Sequence, residues 1–205
     1  MVTTGARAAR LSAILAKRGH VLSDRKPAAP RLSSLDANSV DAMLELYRSM
    51  GGIGDHPPLR PGSWDLAFTN GLVIELDEEL HFNRYRAATL ARDKPWSLDY
   101  TAQSRAHEQE CLRAGRWGRR WSSRPSVAMF GPADLPGVFA ANGAPRWKQR
   151  AFYDAMKDVA NGVKLARLSV HDRVGDLSLG VALRPGSEPD GDAIADLLER
   201  RSQPL

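Results

Sequence analysis

The sequence predicts an α/β (α+β) fold, and three patterns carry the prediction. Two short runs of alternating apolar residues flank Thr69-Asn70-Gly71 and read as a β-hairpin. Several other runs place apolar residues three and four apart and stop at glycine or asparagine, the pattern of amphipathic helices. Near residue 160 one such helix gives way within a few positions to a strand, Lys164 to Val170.

Taken in order, residues 1–35 read as a basic N-terminal arm, with seven Lys and Arg side chains against the lone Asp24. Leu11, Ile14 and Leu15 give residues 6–18 a helical stripe, and Pro27 and Pro30 then break the chain. The segment is expected as a tail or loosely packed helix, or as an arm on nucleic acid. It lacks the apolar core and cleavage pattern of a secretory signal. Residues 36–184 hold the main domain. Asp36 to Ser39 supply caps, Val40, Met43, Leu44 and Tyr47 recur at helical spacing, and Gly51-Gly52 stops the run. After the hairpin, residues 83–145 form an insertion. It is expected to hold a helix from Asn83 to Arg92, a second from about Thr101 to Ala114, a short strand at Val127–Phe130, and a Gly- and Pro-rich loop. The helix from about Arg146 to Ala160 puts Phe152, Ala155, Met156 and Val159 on one face, and Asn161-Gly162 ends it. Leu177 to Leu183 has apolar residues at every odd position and reads as a strand. Residues 185–205 form a linker and a C-terminal helix, Asp192 to Arg200.

The hairpin register follows from sorting side chains by face. A two-residue Asn-Gly loop mixes polar and apolar groups on both sides of the ribbon. A three-residue loop with Gly71 left-handed pairs Phe68 with Leu72, Leu66 with Ile74 and Asp65 with Glu75. Trp64, Leu66, Phe68, Leu72, Ile74 and Leu76 then share one face, and Asp65, Glu75 and Asp77 gather on the other beside Ala67 and Val73. A slip of one residue would turn the whole apolar set to the wrong side, so the three-residue loop is expected. Carboxylates repeated along a half-apolar strand face point to a divalent cation.

The chain carries a formal charge of +5 and a pI near 9.6, which favours polyanionic partners. The lone Cys111 excludes an internal disulfide, and no apolar run is long enough to cross a bilayer. A soluble cytoplasmic protein with no membrane partner is the expectation. Arg113, Arg116, Arg119, Arg120 and Arg124 interleave with Trp117 and Trp121, and no acid falls between Cys111 and Arg124. Such a patch can grip phosphates and stack bases, or be a solvated arginine face whose tryptophans anchor the core. His107 and Cys111 fall on one helical face, but two ligands do not make a zinc site.

The order of Asp65, then Glu75-Leu76-Asp77-Glu78-Glu79-Leu80-His81-Phe82, then Asp154-Ala155-Met156-Lys157 and Leu165-Ala166-Arg167 resembles the PD-(D/E)xK nuclease superfamily. Within it the pattern is most similar to very-short-patch-repair-type endonucleases and their relatives. The resemblance covers residues 36–170 in outline. It implies a restriction-endonuclease-like core, a mixed β-sheet flanked by helices, and Mg²⁺-dependent hydrolysis of DNA, with Mn²⁺ as an alternative ion, in DNA repair or in defence against foreign DNA. It also implies that Asp65 and Glu75 bind the metal with the Leu76 carbonyl, and that Asp77 holds a second ion or a metal-bound water. His81 would be a general base or a phosphate contact. The family usually has lysine where Asp77 stands and glycine where Glu78 stands. Lys157 would replace that lysine if its helix packs beside the hairpin. The alternative is a catalytically inactive nuclease-fold protein acting as a nucleic-acid-binding or assembly subunit. DNA is the expected partner, with a protein of a multi-component system or a second copy in a homodimer as further options. On the residues alone other accounts stay open: Glu75 and Asp77 as a strand face paired with arginines, His81 as a helix cap, and Asp154 and Lys157 as a surface ion pair.

Overall fold

A computed structural model describes residues 5–55, 59–90, 94–116 and 118–202. Its centre is a three-stranded mixed sheet. β1 (Leu66–Ala67) pairs antiparallel with β2 (Leu72–Asp77), and β2 pairs parallel with β3 (Lys164–Ser169). Leu66 faces Ile74, Ala67 faces Val73, and Gly71 has φ +81°, so the hairpin has the three-residue loop and register expected from face sorting. On the parallel side Glu75 lies beside Arg167, and Asp77 beside Ser169.

Side-chain alternation divides the sheet into two differently covered faces. Leu66, Phe68, Leu72, Ile74, Leu76, Ala166 and Leu168 join the largest apolar cluster. It is closed by Leu11 and Leu15 of α1 (Ala6–Ala16), by α8 (Leu179–Ala182) and by α9 (Gly191–Arg201). Leu11 and Leu15 are 0% exposed, so the first helix is part of the core and is no detached arm. The opposite face carries Val73 and Leu165 at one end and the polar Glu75, Asp77 and Arg167 at the other. Trp64 packs here with Phe82, Trp96 and Tyr100, on the face opposite to the one expected. The two-residue β1 does not extend back to Trp64, so strand alternation does not govern it.

Helices over the second face set the polar end of the sheet. α2 (Ala37–Ser49) starts at Asp36, whose side chain accepts from the Ser39 N–H, and buries Met43 and Tyr47. It packs with α6 (Arg124–Phe130) and α7 (Pro145–Asp158) around Phe130, Phe152 and Met156. α6 replaces the strand expected at Val127–Phe130. Ser123 caps it by accepting from Ser126 N–H, and Pro125 sits in its first turn, where a missing N–H costs little. The insertion also holds α3 (Arg84–Thr89), α4 (Ser97–Ala106) and α5 (Glu108–Gly115). α4 and α5 break at His107, where one helix was expected. A small second sheet joins β4 (Arg173–Val174) to β5 (Leu177–Ser178). The strand expected over Leu177–Leu183 stops at Ser178, whose hydroxyl accepts from Val181 N–H and starts α8. No helix among the described residues is long and apolar enough to cross a membrane.

Candidate active site

Asp65 and Glu75 interlock across the hairpin. The Leu76 N–H donates to Asp65 Oδ2 at 2.8 Å, and the Asp65 N–H donates to Glu75 Oε1 at 3.3 Å. Asp65 remains exposed, whereas Glu75 is 4% exposed. The α7 helix then delivers Lys157, whose Nζ lies 2.8 Å from Glu75 Oε2, donates to the Ser63 carbonyl at 3.2 Å, and sits 5.3 Å above the Trp64 ring. Burial pushes Glu75 up to about 7, outweighing the opposing pull of Lys157 and Arg167. A carboxylate with that environment gains stabilisation from added positive charge nearby.

Asp77 is buried one step further back. Its Oδ2 accepts from Arg167 Nη1 at 2.6 Å, and its Oδ1 lies 3.1 Å from His81 Nδ1, outside hydrogen-bonding geometry. His81, at the end of the short turn Glu79–His81, has its Nδ1 2.7 Å from Asp154 Oδ2. Two carboxylates crowd that nitrogen, which therefore carries the proton and leaves Nε2 for other work. Burial opposes a charge on His81, but Asp154 and Asp77 outweigh it and raise its pKa above 6.5. Burial likewise opposes charge on Asp154, yet His81 and Arg167 hold its carboxyl well below the usual range. Arg167 also binds Asp158 and the Asp154 carbonyl, and Asp158 binds Arg86 at 2.8 Å. Asp154 and Lys157 are thus buried components of this network, where a surface pair was one reading.

A cleft of about 720 Å³ opens over these groups. Asp65, Glu75, His81, Asp154 and Lys157 line its floor, and Arg7, Arg120, Arg146 and Arg150 line its walls. Asp77 does not reach it, so the three strand acids share a face but do not converge on one point. Acidic floor and cationic walls together suit a phosphodiester held against a divalent ion. Asp65 and Glu75 supply hard oxygens with lone pairs to spare. Asp77, His81 and Asp154 form a second group whose ligand atoms lie within 4.8 Å of one another. With the proton on His81 Nδ1, that nitrogen has no lone pair to offer inside the group, whereas the carboxylate oxygens of Asp65 and Glu75 line the cleft and fit a hard divalent ion.

The expected nucleic-acid patch divides. Arg113, Arg116, Arg119, Arg120 and Arg124 are exposed, and Arg120 lines the cleft. Trp121 is 2% exposed, stacks edge-on to Trp147 and donates its indole N–H to the Asp134 carbonyl at 2.9 Å. It is a core anchor and offers no face to a base. Trp117 lies outside the described residues. Arg146 and Arg150 escaped notice in the sequence, although the signal was present: Arg146, Arg150, Asp154 and Lys157 recur every three or four residues on the face of α7 opposite its apolar stripe.

Fold and site together define a mixed α/β protein with a buried charge network under an arginine-walled cleft. Residues 45–184, more than half of the chain, match a family of unknown function (DUF7255), and the chain belongs to that family. Comparison with curated proteins and with solved structures gives no match.

Proposed function

We propose that the protein is a metal-dependent endonuclease with a restriction-endonuclease-like core, acting on DNA. The observation that carries this reading is Lys157 Nζ at 2.8 Å from Glu75. The lysine comes from a helix, but it restores beside Asp65 and Glu75 the positive charge that Asp77 removes from the strand. The hairpin paired with a parallel strand, and α7 packed over its acidic end, support the same core.

Asp65 and Glu75 would hold Mg²⁺ or Mn²⁺. Once bound, such an ion lowers the pKa of a coordinated water and offsets charge on the phosphate. The chain supplies the rest. Lys157 Nζ orients the attacking water beside Glu75. His81, fixed through Nδ1 by Asp154 and biased toward its protonated form, offers Nε2–H to the leaving oxygen. Arg150 donates one hydrogen bond, to the Leu80 carbonyl at 3.3 Å, and has no ion pair among the described residues. Burial and neighbouring Arg146 lower its pKa, so this cation gains from an anion entering the cleft.

Purified protein should cleave duplex DNA with Mg²⁺ or Mn²⁺, and Glu75→Gln should lower the rate about a thousandfold or more while binding persists. Equal rates for the two proteins would refute the mechanism. Arg150→Gln should weaken DNA binding about equally across sequences and reduce the slope of log affinity against log salt by about 1. An unchanged slope would remove Arg150 from the phosphate path. The non-catalytic alternative draws on one observation, the engagement of Asp77 by Arg167, and it predicts salt-sensitive binding with no cleavage under any divalent ion.

A further inference from the structure

We propose that His107, Glu110 and His171 form a separate metal site for a borderline divalent ion such as Zn²⁺, tying the helical insertion to the end of the sheet. His107 lies at the break between α4 and α5, Glu110 follows one turn later in α5, and His171 stands in the turn after β3. Their ligand atoms all lie within 4.8 Å of one another, and none of the three residues lines the cleft. The site is independent of the nuclease reading.

Three features point to an ion. His107 Nδ1 is 3.2 Å from Glu110 Oε1, a pair spaced i,i+3 so that both side chains leave the helix in one direction. The His107 and His171 rings lie 3.6 Å apart and 4° from parallel, which brings two imidazoles together with no polar contact between them. Finally, His171 Nε2 is buried without a hydrogen-bond partner, an unfavourable arrangement unless something ligates the nitrogen.

Two imidazoles and one carboxylate suit Zn²⁺ better than Mg²⁺, with water as the fourth ligand. A ring nitrogen offers its lone pair in the ring plane, so ligation must turn one ring out of the stack. His107 is the ring that can turn, being part-exposed and, among the described residues, held through its nitrogen by Glu110 alone. His171 is fixed edge-on against Phe82, with ring centroids 4.7 Å apart. The ion would fasten α5 to the turn after β3, two segments far apart in sequence.

Titration of the full chain with ZnCl₂, followed by calorimetry, tests this. The isotherm should contain a component that His107→Gln and His171→Asn each weaken at least about tenfold and that His81→Gln leaves intact. Thermal unfolding without metal accompanies each variant. Should His171→Asn fold poorly, His107→Gln, at the more exposed ring, carries the test. Absence of zinc binding overturns the proposal. So does zinc binding that survives His107→Gln but falls with His81→Gln, because the ion would then sit in the cleft.

Discussion

Arg167→Met is expected to lower the unfolding free energy by about 3–5 kcal/mol, the usual cost of removing one partner from a buried ion pair. Arg167 is 0% exposed, and it binds Asp77, Asp158 and the Asp154 carbonyl. Methionine keeps an apolar stem but not the guanidinium, and leaves two buried carboxylates without their main cation. Arg86 still reaches Asp158, and His81 still lies beside Asp77, so the loss stops short of the full desolvation of both acids. Urea denaturation gives the number. A loss under about 1 kcal/mol would mean that the acids find other partners or water. Adding Asp77→Asn and Asp158→Asn should recover part of the stability, since the charges that arginine neutralised are then gone.

On the proposed nuclease function, Lys157→Met is expected to behave in the opposite way, lowering cleavage about a hundredfold to a thousandfold with a smaller loss of stability near neutral pH. The difference lies in the partner. Glu75 already sits near 7 because burial penalises its charge, and without Lys157 it can take up a proton instead of remaining an unpaired anion. The sign of the pH dependence follows. A carboxyl raised in the folded state contributes stability that is complete below its unfolded value and is lost as pH rises through the folded one. For Glu75 that window runs from 4.5 to about 7. Removing Lys157 moves its upper end higher, so the decline should continue to higher pH and the variant should lose more stability in total than the wild type between about pH 5 and about pH 8. Single-turnover cleavage and thermal unfolding across that range check both halves. Wild-type cleavage rates in Lys157→Met would make the Glu75 contact purely structural.

The hairpin and its register were legible because one face had to be apolar, and only a three-residue loop with Gly71 left-handed sorted the side chains. Helix α2 was legible from its cap and its glycine stop, and the α7–β3 unit from the change of periodicity at Asn161-Gly162. Val127–Phe130 misled because a short apolar run satisfies either period, and the decisive group, Ser123, lies outside it. Leu177–Leu183 failed similarly, since a serine inside the run starts a helix. Of the site, Asp65 and Glu75 could be placed by alternation alone. That Lys157 reaches Glu75 could not, because it depends on how α7 lies over the sheet. Pairing also decided Asp77. The same alternation that put it beside Glu75 brought Arg167 onto the adjoining strand, and the arginine, not the cleft, occupies its oxygen.

The parallel pairing of β2 with β3 also bears on how the chain reaches this state. Val73 meets Leu165, so the central ladder cannot close until the whole intervening insertion has been made. Until then β2 presents one unpaired edge, and its apolar side waits for helices that come from both extremes of the chain. Contacts so distant in sequence impose a large loop-closure entropy before they return any stabilisation. Slow refolding and a tendency to aggregate on dilution from denaturant are the natural accompaniments of this topology, and expression at low temperature is the practical remedy.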